Sequence, residues 1–192
     1  MLTLTDHWID QARHAPSPNH NARPDPDDIA LLVIHNISLP PGQFGGPHIE
    51  ALFQNRLDAS LHPYFQEIAG LRVSSHFLIR RDGEPVQFVA CDRRAWHAGV
   101  SAWRGRENCN DFSLGIELEG ADTMAYEDAQ YRSLQSLLRT LIAAYPRLGT
   151  DTITGHEHIA PGRKTDPGPA FDWPRLHHAL ANPHLSTTGP DT

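Results

Sequence analysis

"IALLVIHN", residues 29–36, decides how the rest of the chain is read. The run is continuously apolar and rich in β-branched side chains, with no polar alternation. It therefore predicts a strand covered on both faces, as in the middle of a parallel or mixed sheet. It ends on His35 and Asn36, immediately before "SLPPGQFGGP" (38–47), which its glycines and prolines mark as a loop. A histidine at that junction stands where a rigid scaffold meets the kind of loop that carries ligand-contacting groups.

Working outward, "HIEALFQNRL" (48–57) predicts a short helix, and "RVSSHFLIRRDGEPVQFVA" (72–90) predicts two strands joined at Asp82-Gly83. "FSLGIELEG" (112–120) alternates: Phe112, Leu114, Ile116 and Leu118 face one way, Ser113, Glu117 and Glu119 the other, with Glu119 expected in solvent. Leu134, Leu137, Leu138, Leu141, Ile142 and Tyr145 recur at helical spacing, so 127–145 is an amphipathic helix that Pro146 ends. "DTITGH" (151–156) is a short strand, and Asp172 caps a last helix with Pro174 in its first turn. The expectation is an α/β fold in a single domain, a central mixed sheet flanked by helices, over 29–181. Residues 1–28 are expected to form an irregular arm packed on it, and 182–192 a disordered tail.

Composition excludes several functions. A chain of 192 residues that is 39% apolar can bury one core, yet no run approaches the roughly 18 apolar residues of a membrane-spanning helix. A net charge of −7 without a basic block argues against nucleic acid as a partner. The first residues lack a basic segment followed by an apolar one, and the two cysteines, Cys91 and Cys109, make no disulfide framework. Both observations point to the cytoplasm. Histidine is abundant, with thirteen copies, and Lys164 is the only lysine among sixteen basic residues.

That lysine lies in "GHEHIAPGRKTDPGPAFDW" (155–173), where Pro161, Pro167 and Pro169 impose an ordered loop. His35 and His156 at strand ends, with Asp166 in this loop, have the donor types of a catalytic zinc site with three protein ligands. The "HEH" at 156–158 is not the helical HExxH of zinc proteases, and no helix is predicted there. Spacing alone leaves two readings open: a lone strand-end histidine is more often a hydrogen-bonded core residue. Glu117 likewise fits a solvated strand glutamate or an arginine's partner as well as a catalytic acid or base.

Four stretches, "LLVIHNISLPPGQFGGP", "SSHFLIRRDG", "AWHAGVSAWRGRENCNDFSLGIELEG" and "GHEHIAPGRKTDPGPAFDW", in order from about residue 14 to 180, resemble the AmpD-type amidases. These are zinc N-acetylmuramoyl-L-alanine amidases that act on 1,6-anhydromuropeptides in peptidoglycan recycling. The resemblance implies Zn2+ held by His35, His156 and Asp166, with Glu117 moving a proton and Lys164 stabilising the oxyanion. It implies an anhydromuropeptide as the partner, with no membrane, and a monomer is expected. For the substrate, Trp96 suits stacking on a sugar, Arg72 and Arg163 suit carboxylate clamps and Asn36 a hydrogen bond, though each equally fits a structural surface residue and Trp96 the core; His97 fits a pocket group or one that orients a ligand or the substrate. His76 fits equally a core residue or a group that orients a ligand. The sequence departs from the family at Glu157-His158 and at Asn108, where some relatives carry arginine, which leaves one carboxylate contact either missing or supplied by Arg106. Two other readings remain: a broader cell-wall amidase or endolysin, and a non-catalytic peptidoglycan-binding module, which predicts a broken ligand set.

Overall fold

A computed structural model describes residues 2–182, so the tail expectation for 183–192 lies outside the described residues. Six strands form the central sheet: β1 (Arg13–His14), β2 (Leu31–Ile37), β3 (Phe77–Ile79), β4 (Pro85–Gln87), β5 (Ser113–Glu119) and β6 (Ile153–Gly155). Their order is β6-β2-β5-β3-β4-β1. β6, β2, β5 and β3 run parallel, β3 and β4 are antiparallel, and β1 lies parallel to β4 at the edge. The sheet is mixed, as expected, and the 29–36 run is buried inside it. The turn at Asp82-Gly83 is where the sequence puts it, but 72–76 is not strand.

The long amphipathic segment forms α3 (Asp128–Ala144), whose N-terminal turn is closed by the Gln130 side chain accepting the Glu127 N–H at 3.0 Å. Its buried stripe, Tyr131, Leu134, Leu137, Leu138 and Leu141, packs on Leu32, Ile34, Leu114, Ile116 and Leu118 of the sheet. At roughly 1.5–3 kcal/mol for each large apolar side chain buried, this face is the main source of stability. Leu176 of α5 (Trp173–Ala181) joins the cluster, and the Asp172 side chain caps that helix by accepting the Arg175 N–H at 2.9 Å. On the other face lie α1 (His48–Phe53) and α2 (Pro63–Ile68), packed through Ile49, Leu52, Phe53 and Phe65 on Leu78 and Val86. Phe112 departs from the alternation. It precedes β5 and packs with Leu31, Val33 and Ile159, on the face opposite Leu114.

The arm is more regular than its composition suggests. Leu4–Thr5 and Trp8–Ile9 form a hairpin, Arg13–His14 is β1 itself, and His20–Ala22 pairs with Arg93–Ala95. Pairing supplies the reason: β4 would otherwise present an open edge of unpaired backbone groups, which the arm covers. An ion-pair cluster fastens it. Arg13 binds Glu50 of α1 at 2.7 Å and Glu84 at 2.9 Å, and Arg80 binds Glu50 at 2.5 Å.

Hydrogen bonds from Arg13, working against burial and joined by Arg80, hold the Glu50 carboxyl down at about 2. Its stabilisation is complete above the ordinary value near 4.5 and is lost as pH falls toward 2. Glu50→Gln should therefore lower unfolding stability by about 1–2 kcal/mol at pH 7. Denaturation at a series of pH values should show the gap to the parent protein closing below pH 4.

Candidate active site

β2 and β5 pair in parallel register so that His35 lies directly beside Glu117. Both side chains leave the same face of the sheet, away from α3. β6 ends at Gly155, and the next residues form a single helical turn, α4 (His156–Ile159), where the sequence predicts no helix. The turn is too short to carry an HExxH pair, but it directs the buried His156 ring back toward His35. The following loop returns Asp166 to the same point.

The three donor atoms converge. His35 Nδ1 and His156 Nδ1 are 2.9 Å apart, and Asp166 Oδ2 lies 3.1 Å from the first and 3.0 Å from the second. Donors about 2.0–2.2 Å from a zinc ion at tetrahedral angles stand about 3.3–3.6 Å from one another, so this triangle is a slightly contracted face of such a coordination shell. The chemistry of the set agrees. His156 Nε2 faces the Ala98 carbonyl oxygen at 3.2 Å, to which it donates its proton, leaving Nδ1 as a lone pair. Burial drives the His35 imidazole down to about 4, so the ring is neutral near pH 7, the form a metal ligand requires.

The loop is pinned rather than free. Glu157 N–H donates to the Asp166 carbonyl at 2.9 Å, and the Pro167 carbonyl accepts the Tyr126 hydroxyl at 2.8 Å and the Asn36 amide at 3.1 Å. Gly168 has φ +79°, and a Cβ there would stand 2.4 Å from Asp122 Cα, so only glycine fits. The 155–173 stretch thus meets the sheet through its own backbone.

The triad borders a cavity of about 440 Å³, lined by His35, Glu117, His156, Lys164 and Asp166 and by the apolar or aromatic Leu39, Leu52, Tyr64, Ile68 and Val73. Glu117 is buried, and its Oε2 has no hydrogen-bond partner among the described residues. Burial first, then the Asp166 charge, push its carboxyl well above the ordinary range, while Lys164 pulls the other way. Lys164 stands exposed at the rim.

The remaining expected residues divide. Trp96 and Asn36 line the cavity, Trp96 with its Nε1–H on Asn21 at 2.7 Å and Asn36 with its amide on Asp122 at 2.8 Å. His97 reaches the cavity wall but lies behind His35, its Nδ1 2.9 Å from His35 Nε2. Arg72 is exposed and does not line the cavity, although Leu71 and Val73 do. Arg163 is held on the Ala98 and Val100 carbonyls at 2.6 and 2.7 Å, facing a separate depression, so a clamp inside the cavity does not fit its position. Arg106 pairs with Asp28 instead of replacing the contact sought from Asn108, which adopts a left-handed backbone with φ 58°. Glu119 is buried rather than solvated, accepting from Gly45 N–H at 2.7 Å and Arg81 N–H at 3.2 Å. His158 is exposed and outside the site.

Two contributors escape sequence reasoning. Asn110 is buried and its Oδ1 accepts both the His97 and Ala98 N–H groups, at 3.1 and 2.8 Å, so one side chain places the groups behind both histidines. Tyr126 braces the loop through Pro167. No spacing marks either residue, because each acts through backbone atoms far away in sequence.

A family profile described as N-acetylmuramoyl-L-alanine amidase matches residues 25–169. The chain belongs to the N-acetylmuramoyl-L-alanine amidase family. It is 63% identical over 174 residues to the 1,6-anhydro-N-acetylmuramyl-L-alanine amidase AmpD of Salmonella typhimurium (strain SL1344), covering 91% of this chain and 92% of that protein. A crystal structure of a Se-Met AmpD derivative superposes with a TM-score of 0.90 at 59% identity, covering 93% of this chain and 99% of that one. The amidase AmiD from E. coli, in a complex described as containing the substrate anhydro-N-acetylmuramic acid-L-Ala-D-gamma-Glu-L-Lys, gives a TM-score of 0.58 at 28% identity. That match covers 92% of this chain and 65% of AmiD. Within this amidase-family domain, no helix of the described residues is long and apolar enough to cross a membrane.

Gly115 lies under the His97 ring, and a Cβ there would meet His97 Cγ at 2.5 Å. Gly115→Ala in the amidase should destabilise the fold by about 1–3 kcal/mol and displace His97. The thermal unfolding midpoint checks this, and it should fall below that of the parent protein.

Proposed function

We propose that the chain hydrolyses the amide between the lactyl group of 1,6-anhydro-N-acetylmuramic acid and L-alanine in soluble muropeptides, using zinc held by His35, His156 and Asp166. The observation that carries this reading is the convergence of those three donors beside the unpartnered Glu117 at the floor of a cavity of substrate size. AmpD, which by name acts on this bond, and the AmiD complex with an anhydromuropeptide supply the substrate class. A recycling enzyme meets such fragments in the cytoplasm, and the buried free thiols of Cys91 and Cys109 are in keeping with a reducing compartment. It acts as a monomer.

Bound at the triad, zinc would supply Lewis acidity toward water and the scissile carbonyl, making a nucleophile available at neutral pH. The chain's residues do the rest. Glu117 accepts the proton of the attacking water; its burial, with the Asp166 charge nearby, raises its proton affinity. The same carboxyl then delivers the proton to the departing alanine nitrogen. Lys164, the chain's only lysine, brings positive charge to the rim beside Glu117, where the developing oxyanion is stabilised. Trp96 and the apolar wall hold the sugar, and Asn36, fixed by Asp122 and Pro167, keeps the loop closed on the triad.

The test is mass spectrometry of products from the zinc-loaded protein given anhydromuropeptide and its non-anhydro counterpart, with a chelated control. Zinc-dependent release of stem peptide with preference for the anhydro sugar is expected. Equal cleavage of both would shift the role to general wall hydrolysis, and cleavage of neither would replace the enzyme with a binding module. Glu117→Gln should lower kcat by about 10²–10⁴-fold with zinc content unchanged, measured by steady-state kinetics and metal analysis.

A further inference from the structure

The His35 ring has two nitrogens, and only one arrangement of its proton lets it serve the triad. Nδ1 points at His156 and Asp166, while Nε2 points at His97. If the proton sits on Nδ1, the site is blocked. If it sits on Nε2, Nδ1 offers a lone pair. We infer that His97, anchored by Ser113, selects the tautomer of His35 that presents Nδ1 to the metal. This deepens the zinc reading above and rests on it.

The proton positions follow from a chain of contacts that begins at a group with no choice. The Cys109 carbonyl oxygen can only accept, so the Ser113 hydroxyl, 2.6 Å away, donates its single proton there. Ser113 Oγ is then left with lone pairs toward His97 Nε2 at 3.1 Å, so that nitrogen carries the His97 proton. His97 is therefore a lone pair at Nδ1, and it accepts at 2.9 Å from His35 Nε2–H. His35 Nδ1 is left bare. Each step uses up the only proton available to it, so the direction set at a backbone carbonyl passes through two side chains to the triad.

With His156 turned the same way by the Ala98 carbonyl, two imidazole lone pairs and a carboxylate oxygen face one another within 3.1 Å, with no proton between them. Such a grouping is unfavourable alone and satisfied by a cation. His97 is also locked in place. Its N–H is held by Asn110, its ring lies on Gly115 where no Cβ would fit, and it meets His35 edge-on at 5.0 Å between ring centres. Half-buried at the cavity wall with its Nδ1 against His35 Nε2, His97 acts as a positioning residue, the ligand-orienting side of what the sequence suggests for it.

Two substitutions of similar bulk separate this role from simple packing. His97→Gln can still accept from His35 Nε2–H through its amide oxygen, whereas His97→Leu cannot. Ser113→Ala leaves the His97 ring in place but removes its anchor. Zinc affinity is read by chelator competition, with thermal midpoints to confirm folding. The tautomer of His35 is read in the zinc-free, folded proteins from the two-bond nitrogen–proton couplings of labelled histidine. The parent protein should show His35 protonated on Nε2, and His97→Gln should bind zinc within about threefold of it. His97→Leu should weaken zinc binding by about 10–100-fold, the range seen when a ligand's supporting partner is lost. Ser113→Ala should weaken it in the same direction, with a population of His35 protonated on Nδ1. A parent His35 protonated on Nδ1 would overturn the inference, as would equal zinc affinities of the Gln and Leu variants. A parent protein that binds no zinc would instead overturn the metal reading, and the couplings would still decide the tautomer.

Discussion

Seven consecutive residue pairs join β2 and β5 in parallel, from Leu31 beside Ser113 to Ile37 beside Glu119. Because side chains alternate across a sheet, a slip of one residue would turn His35 and Glu117 into the α3 core and bring Ile34 and Ile116 to the cavity. The apolar content of both strands prevents the slip: Leu32, Ile34, Leu114, Ile116 and Leu118 are all buried against α3. The packing that stabilises the domain therefore also fixes the relation between a metal-ligand candidate and the proposed proton carrier. The same register brings two glutamates into the interior two residues apart, and they are treated differently. Glu119 is met by two backbone N–H groups and lies 3.6 Å from Arg80, whereas Glu117 keeps an oxygen without a partner where the cavity opens. An unsatisfied buried carboxyl is costly in a scaffold and useful where a proton must be collected.

The third donor of the triad, Asp166, comes from a loop, and loops need bracing to place an atom within a few tenths of an ångström. Here the braces come from elsewhere in the chain: Asn36 from the end of β2, and Asp122 and Tyr126 from the segment between β5 and α3. Behind the histidines the pattern repeats. Asn110 holds the backbone of His97 and Ala98, and those two residues contact His35 and His156 in turn. The site is a set of side chains oriented by partners that are in turn oriented by backbone.

Much of this was legible in the chain and some was not, for identifiable reasons. The continuous apolar run at 29–36, the period of 127–145 and the Asp172 cap are local signals, and each element formed where its pattern lies. His35, His156 and Asp166 had the right chemistry at strand ends, but their meeting depends on β6 lying beside β2, a pairing of distant segments that spacing does not encode. The arm was misread because polar, proline-rich composition hides edge pairing, which depends on backbone groups rather than side chains. Glu119 was misread because alternation says which face a residue takes and not whether the 38–47 loop covers it. Arg163 and Arg72 show the limit of matching residue type to substrate: both are arginines near the site in sequence, and neither reaches into the cavity.

The central claim is that His35, His156 and Asp166 form one zinc site at the floor of the cavity. Diffraction from zinc-loaded crystals on either side of the zinc absorption edge tests it most directly. The account predicts a single anomalous peak per chain, bonded to His35 Nδ1, His156 Nδ1 and Asp166 Oδ2. A peak at other residues, or a triad with no peak in a protein that carries zinc, would contradict it.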